Sequence, residues 1–222
     1  ASFEASAVSY LYYADRIYQI NLAIAGIAVG TVSLPVLSKA FKQKNIQRIS
    51  NIQSKSIELS LLLSVPASLG LILASEEIVN ALFGYGSFTI ENISMTALAL
   101  KYFGYGIPAF ALIKILSNFF FARNDTKTPF YISFFIVLLN ISVSVTFFSK
   151  IGFVIIPVST SISTWIGVVV YILLLNNKNM LLIKDYLPRN IFKIILSTIL
   201  MSFLLTFALE YFADYLDYTY TF

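Results

Sequence analysis

Six stretches of this chain are apolar over the length that a lipid bilayer demands. A helix crossing the hydrocarbon core needs about 20 such residues, because the core is about 30 Å thick and the helix rises about 1.5 Å per residue. The pattern predicts helix A from about Ser9 to Leu37, helix B from about Ile57 to Ser75 and helix C from about Met95 to Ala122. Helix D is expected from about Pro129 to Phe148, helix E from about Ile151 to Leu175 and helix F from about Ile191 to Phe212. The predicted fold is therefore all-α, a polytopic bundle of six membrane-spanning helices. Lys150-Ile151-Gly152 leaves room only for a hairpin between D and E. Gly84-Tyr85-Gly86-Ser87 predicts a turn, Asn124-Asp125 an end to C, and Pro129 a start to D. Pro66, Pro108 and Pro157 are expected inside helices, which membrane surroundings tolerate.

The polar positions alternate between the connections. Lys39, Lys42, Lys44, Arg48 and Lys55 lie between A and B without an acid. Arg123 and Lys127 face Asp125 between C and D, and Lys178, Lys184, Arg189 and Lys193 face Asp185 between E and F. Glu76, Glu77 and Glu91 lie between B and C without a base, Lys150 lies between D and E, and Asp214 and Asp217 follow F. The excess of Lys and Arg in every second loop predicts that A–B, C–D and E–F are cytoplasmic and that both ends face outward. Glu76-Glu77 reads as a solvated outer loop.

Composition removes whole classes of function. The 222 residues are 58% hydrophobic and 12% charged, with a mean hydropathy of +0.82. A soluble chain of this length has too little interior to hide that surface, and disorder is excluded by the same values. The formal charge of +4 is explained by topology, so no nucleic-acid partner is expected. With His 0 and Cys 0, no His-based triad, thiolate nucleophile or zinc site can form. A membrane transferase would normally show a His or clustered acids near one membrane face; there is no His, and the spans hold no acid cluster, so that class is disfavoured. The start at Ala1 without Met, and the end at Tyr218-Thr219-Tyr220-Thr221-Phe222, predict a piece of a longer chain.

Helix A carries the candidate chemistry. Spacings of three and four join Ser9, Tyr12, Arg16, Gln19, Ala23, Gly26, Gly30 and Ser33 into one stripe, polar first and small later. Tyr13, Ile17, Ile20, Ile24 and Ile27 form the opposite stripe. Gly26 and Gly30 are a small-xxx-small pair that favours close helix approach. Arg16 is costly in an apolar zone, and such residues face a bundle interior or a watery path. Its planar fork of donors suits phosphate or carboxylate. Two readings stand: an anion-binding residue in a transport cavity, or an interfacial Arg that snorkels outward or pairs with Asp15. On helix C, Lys101 is placed near the outer end, and Lys114 deeper with Asn118 one turn on, in a buried polar role. Glu58 reads as an interfacial acid at the start of B. Asn140, Ser142, Ser144, Ser159, Thr160, Ser161, Ser163 and Thr164 supply oxygens on D and E, for which helix packing is favoured over a cation site.

Three motifs, in order, are more specific. Ser9-Tyr10-Leu11-Tyr12-Tyr13-Ala14-Asp15-Arg16 precedes Gly30-Thr31-Val32-Ser33-Leu34-Pro35-Val36-Leu37-Ser38. Leu82-Phe83-Gly84-Tyr85-Gly86-Ser87-Phe88-Thr89 follows, then Phe120-Phe121-Ala122-Arg123-Asn124-Asp125-Thr126-Lys127-Thr128-Pro129. Together they resemble the MurJ (MviN) lipid II flippases of the multidrug/oligosaccharidyl-lipid/polysaccharide exporter superfamily. The resemblance implies a two-lobed transporter of fourteen helices, of which this chain would hold the eighth to the thirteenth. Residues 1–176 would be five helices of the second lobe, 177–190 a cytoplasmic loop, and 191–222 an additional helix with an outward-facing end.

The implied activity is transport and not enzymology: lipid II, the undecaprenyl-pyrophosphate-linked peptidoglycan precursor, moves from inner to outer leaflet by alternating access in the bacterial cytoplasmic membrane. A related exporter of another polyprenyl-linked glycan or a drug is the alternative. The implied substrate-binding residues are Arg16, Asp15 and Ser9, with Gln19, Lys114, Asn118, Arg123 and Asp125 as cavity or gating positions. No cofactor is implied beyond ion coupling or the membrane potential. Implied partners are lipid II, membrane lipids and a first lobe of the same protein. Sodium-binding relatives imply Asn140 and Thr160 as weak ligand candidates, with Ser144 where those relatives have a carboxylate.

Overall fold

The computed structural model describes residues 6–212. The expected outward-facing end, with Asp214 and Asp217, lies outside them. Nine α-helices, all predicted spans among them, make up the described part. Helix A is one long rod: α1 (Ala7–Leu22), a π-helical segment (Ala23–Ala28) and α2 (Val29–Lys42). Helix B is α3 (Ile46–Leu73), followed by a short α4 (Ser75–Phe83). Helix C is two pieces, α5 (Ile90–Gly104) and α6 (Ile107–Phe121). Helices D, E and F are α7 (Lys127–Ile151), α8 (Ile155–Asn177) and α9 (Tyr186–Tyr211).

The helical run Lys127–Asn177 is 51 residues long, far more than one crossing needs. At Gly152 the backbone turns to φ 76, a glycine conformation, and a short 3-10 turn to Val154 reverses the chain. The run then folds back: Asn140 on α7 donates to Thr160 on α8 at 3.0 Å. It therefore contributes two spans, and with the bent α5–α6 pair counted as one the total is six.

Several boundaries differ from the sequence expectation. Helix B starts at Ile46 and not near Ile57, because the Asn45 side chain accepts from the Arg48 N–H at 2.9 Å and caps a polar helical extension that hydropathy ignores. Helix C is broken: α5 and α6 meet at an angle of 40°. Pro108 is thus not inside a helix but in the first turn of α6, and Pro157 is likewise in the first turn of α8, where the missing N–H costs nothing. Pro66 does lie within α3. Glu76 and Glu77 belong to the first turn of α4, not to a loop, where carboxylates favour the positive helix end. Helix F begins at Tyr186, inside the segment expected to be a loop.

The break in helix C frees carbonyls in the middle of a span, and three of them find donors from flanking helices. Ser68 of α3 donates to the Gly104 oxygen at 2.8 Å. Ser161 of α8 donates to Tyr102 at 2.7 Å, and the Trp165 indole donates to Tyr105 at 2.9 Å. Without such donors, groups at this depth would be orphaned in hydrocarbon.

One end of the bundle carries the Lys- and Arg-rich connections, and three of them close alike. After α2, α6 and α8 the chain enters the left-handed region at Lys44, Asn124 and Asn179. The next residue then donates back to the helix, Asn45 to Ala40, Asp125 to Phe120 and Met180 to Leu175. This is the Schellman closure, which satisfies carbonyls left over by a helix end. The apolar core divides at the helix C break. One cluster joins α2, α3, α6, α8 and α9 at the basic end, around Leu37, Phe119, Phe120 and Tyr171. The other joins α1, α4, α5 and the hairpin's Phe153 around Tyr18, Leu100 and Phe103.

Candidate functional site

The stripe on helix A splits into an open half and a packed half. Ser9, Tyr12, Arg16, Gln19 and Ala23 are exposed, whereas Gly26, Gly30 and Ser33 are buried. The π segment explains the division. Buried positions run Ala14 and Tyr18 before it, the adjacent pair Ala25 and Gly26 within it, and Ser33 and Ala40 after it, a shift of one place in the seven-residue spacing. A π turn accommodates one extra residue and so re-aims everything beyond it. The opposite stripe is mixed: Ile17 is buried, Tyr13 is half-buried, and Ile20, Ile24 and Ile27 are exposed.

In the packed half, α2 meets α6. A β-carbon at Gly26 would lie 3.2 Å from the Ala111 Cα, so a side chain there would push the two backbones apart by a few tenths of an ångström. The Asn118 amide donates to the Gly30 oxygen at 2.8 Å and to Ser33 Oγ at 3.4 Å. Asn118 is therefore a buried link between helices.

In the open half, Arg16 donates to the Tyr12 hydroxyl at 2.8 Å, and its guanidinium lies 4.7 Å from the Tyr12 ring centre. Asp15 does not pair with it; Asp15 accepts from Gln19 instead. Among the described residues Arg16 has no acidic partner, which removes the local Asp15 pair as an explanation of its charge. Lys114 was expected in a buried role, but its side chain is exposed, because its stem leans over the Gly26 backbone, 3.6 Å from the β-carbon position. Arg16 and Lys114 are both exposed cations, and the ten residues from Arg16 to Gly26, beside which the Lys114 stem lies, correspond to about 15 Å of helix.

The motifs meet in space. Tyr13 packs on Phe83 and Phe88, with ring centres 4.8 and 5.4 Å apart, so the Leu82–Thr89 motif buttresses the helix that presents Arg16. Tyr10 donates to Asn92 at 3.1 Å. Arg123 and Asp125 are at the other end of the bundle, in the basic-end connections. Arg123 donates to the Met180 oxygen at 3.3 Å and lies over the Phe41 ring at 4.5 Å; burial pushes its pKa down. Asp125 accepts from the Thr128 N–H at 3.0 Å, from the Thr128 hydroxyl at 2.7 Å and from Lys178 at 3.0 Å. Those contacts, led by the Thr128 backbone N–H, hold its pKa down at about 2.

Asn140 and Thr160 do come together on the hairpin. Ser144 and Ser159 both donate to the Asn140 oxygen, at 3.2 and 3.1 Å, and they lie 2.6 Å from each other. The oxygens are engaged with one another across the α7–α8 interface.

Gln53 is fully buried and anchors a connection, a role that hydropathy and motifs did not single out. Its amide donates to the Met180 oxygen at 3.1 Å and accepts from the Leu182 N–H at 2.8 Å. Ser54 accepts from the Lys184 N–H at 2.9 Å beside it. The available signal was an amide on the same face as the Ser56, Ser60 and Ser64 positions of α3.

A bundle of apolar spans, one broken at mid-depth and one presenting an exposed arginine with no acidic partner among the described residues, defines a polytopic α-helical membrane protein. Residues 1–222 match the family model "Lipid II flippase MurJ". A probable lipid II flippase MurJ of Rickettsia prowazekii is 36% identical over 216 residues, 97% of this chain and 43% of the relative. One from Rhizobium meliloti is 40% identical over 167 residues, 75% of this chain and 31% of the relative. A solved structure of lipid II flippase MurJ in an inward closed conformation superposes with a TM-score of 0.82 at 25% identity, covering 93% of this chain and 42% of that one. The chain belongs to the lipid II flippase MurJ family. It spans less than half the length of these relatives. Family and apolar helices together make it a multi-pass protein of the bacterial inner membrane.

Proposed function

We propose that this chain is the second-lobe part of a flippase that carries lipid II from the inner to the outer leaflet for cell-wall synthesis, as a transporter and not an enzyme. The observation that carries the reading is the exposed Arg16 on the open face of α1, without an acidic partner among the described residues, in a chain of this family. A pyrophosphate crossing lipid needs a cationic, wet route, and a guanidinium offers it paired donors. Arg16 takes the pyrophosphate. Tyr12 holds the guanidinium from below, Asp15 fixes Gln19, and Ser9 completes the polar edge. Lys114 extends the positive path along the same face, while Asn118 keeps α2 and α6 in register beneath it. Arg123 and Asp125 secure the basic end.

In this reading residues 1–176 form five helices of the second lobe, 177–190 connect, and 191–222 add a helix outside it. The open face meets a first lobe of the same protein, and alternating access rocks the two about it. The basic-end connections lie in the cytoplasm, by the excess of Lys and Arg there. Ion coupling or the membrane potential supplies the drive, and the Asn140–Thr160 cluster serves packing.

Complementation tests the proposal. The full-length protein is expressed in bacteria depleted of their own lipid II flippase, and survival is scored. Growth with the unaltered protein and lysis with Arg16→Ala, at equal membrane levels, is the expected result. Lysis with the unaltered protein would shift the cargo to another polyprenyl-linked glycan, and growth with Arg16→Ala would remove the assigned role.

A further inference from the structure

Between α3 and α9, toward the basic end, lies a cavity of about 420 Å³. Its chemistry changes along its length. Glu58, Asn190 and Lys193 line the lower part, and Leu62, Pro66, Ile194 and Met201 line the part toward the bilayer centre. Both helices run away from the basic end, so polar and apolar walls lie at matching depths on the two sides. The Asn190 amide donates to one Glu58 oxygen at 2.9 Å, which holds the carboxylate against the cavity wall and leaves its second oxygen to accept. Among the described residues neither Glu58 nor Lys193 forms an ion pair, although both line one cavity. Ser197, one turn beyond Lys193, also lines it. The neighbouring Thr198 hydroxyl is spent on the Ile194 carbonyl at 2.7 Å.

An unpaired anion and an unpaired cation at one polar end, with an apolar continuation into the membrane, match a zwitterionic amphiphile. We propose that this cavity seats phosphatidylethanolamine from the leaflet at the basic end. The Glu58 carboxylate takes the ammonium group, which needs an acceptor. Lys193 and Ser197 take the phosphate. One acyl chain runs past Leu62 toward Pro66 and Met201. The volume is within the range of about 300–1,000 Å³ usual for small-ligand sites, and fits a headgroup, its glycerol and the first methylenes. Phosphatidylglycerol has no ammonium for Glu58, and the quaternary nitrogen of phosphatidylcholine cannot donate a hydrogen bond to it. The site thus selects a primary amine. It is independent of the cargo assigned above, and of whether that assignment holds.

The test uses the full-length protein purified in detergent. Binding of phosphatidylethanolamine, phosphatidylcholine and phosphatidylglycerol is compared by native mass spectrometry, and a diazirine-bearing phosphatidylethanolamine maps the site by cross-linking. Phosphatidylethanolamine is expected to bind about tenfold more tightly than the other two, the scale of one charge-assisted hydrogen bond. Glu58→Gln and Lys193→Ala should each remove about that factor, and Lys101→Ala, in a cavity between α3, α4 and α5, should remove none. Cross-links should fall within residues 58–66 and 190–201. Equal binding of the three lipids, unchanged binding in both variants, or cross-links confined to other segments would each overturn the proposal. The last outcome is also what a further stretch of the protein's own chain filling the cavity would produce. The cross-link map needs no substitution, so a variant that fails to fold leaves the question decidable.

Discussion

The Asn118 amide of α6 lies 2.8 Å from the Gly30 carbonyl oxygen of α2, one turn beyond the point where Gly26 meets the Ala111 backbone. Contact without a side chain at Gly26 and a hydrogen bond at Gly30 together fix how α2 sits on α6. A methyl at Gly26 would lie 3.2 Å from a backbone atom that cannot swing away, whereas Gly70 of α3 has nothing within 4 Å of its β-carbon position. Gly26→Ala should therefore destabilise the protein by about 1 kcal/mol or more. Gly70→Ala should be neutral or stabilising by up to about 1 kcal/mol, from helix propensity alone. Asn118→Ala should cost about 1 kcal/mol, the usual scale of an interhelical hydrogen bond in a membrane. Thermal unfolding of the three variants in one detergent compares them directly.

Tyr12 both accepts a hydrogen bond from Arg16 and offers its ring to the guanidinium. Tyr12→Phe keeps the ring and loses the acceptor, so complementation should weaken but survive. Arg16→Lys keeps the charge and loses the planar fork, and should complement far less well than Tyr12→Phe if paired donors are what the cargo needs. Growth rates at matched expression rank the two; a lysine variant that grows normally would reduce the requirement to charge alone.

Gln53 should be the most sensitive polar residue at the basic end. Gln53→Leu keeps the bulk and strands the Met180 carbonyl and the Leu182 N–H, both now partnered by one amide. Leaving two groups unpaired costs about 2–6 kcal/mol in total. Arg123 also donates to Met180, so the carbonyl is not wholly orphaned and the lower figure is expected. The visible consequence is release of the connection before α9, read as faster proteolysis within residues 179–185.

Asp125 adds a pH dependence. Its folded pKa, about 2, is below the ordinary 3.8, so its contribution is complete above pH 4 and is lost as the pH falls through about 2. Asp125→Asn removes that dependence and the ion pair with Lys178, but retains an oxygen for the Thr128 N–H. Its cost at neutral pH should be below the roughly 1 kcal/mol of a lost cap. Melting temperatures of the two proteins between pH 2 and pH 7 should converge at the acid end.

The bilayer made the spans legible. Six apolar runs of sufficient length could be read from hydropathy, because hydrocarbon accepts little else. The same criterion is blind to α4 and to the first turns of α3, which are helical for reasons of capping and tertiary contact. It is also blind to the π segment, which changes no composition but moves the buried face by one place. Arg16 was legible as a charge out of keeping with its surroundings. Its companion Lys114 was misplaced, because depth along a helix does not tell which face a residue occupies until the neighbour, here Gly26, is known. Gln53 was not legible, since its partners are backbone groups more than a hundred positions away.

The break in helix C is held by its neighbours and not by Pro108. Pro108 lacks an N–H and so permits the break, but a proline in the first turn of α6 does not by itself set the bend. The bend persists because Ser68, Ser161 and Trp165 take the Gly104, Tyr102 and Tyr105 carbonyls. Gly106 is confined as well, since a β-carbon there would lie 2.8 Å from Ser161 Oγ. Pro108→Ala should therefore leave the 40° angle in place. Removing the donors, with Ser68→Ala, Ser161→Ala and Trp165→Phe added to Pro108→Ala, should let α5 and α6 straighten to recover their own hydrogen bonds. Spin labels at the exposed positions Leu98 and Phe121 report the change as a longer distance. Lengthening with Pro108→Ala alone would assign the bend to the proline, whereas lengthening only in the fourfold variant assigns it to the three side chains.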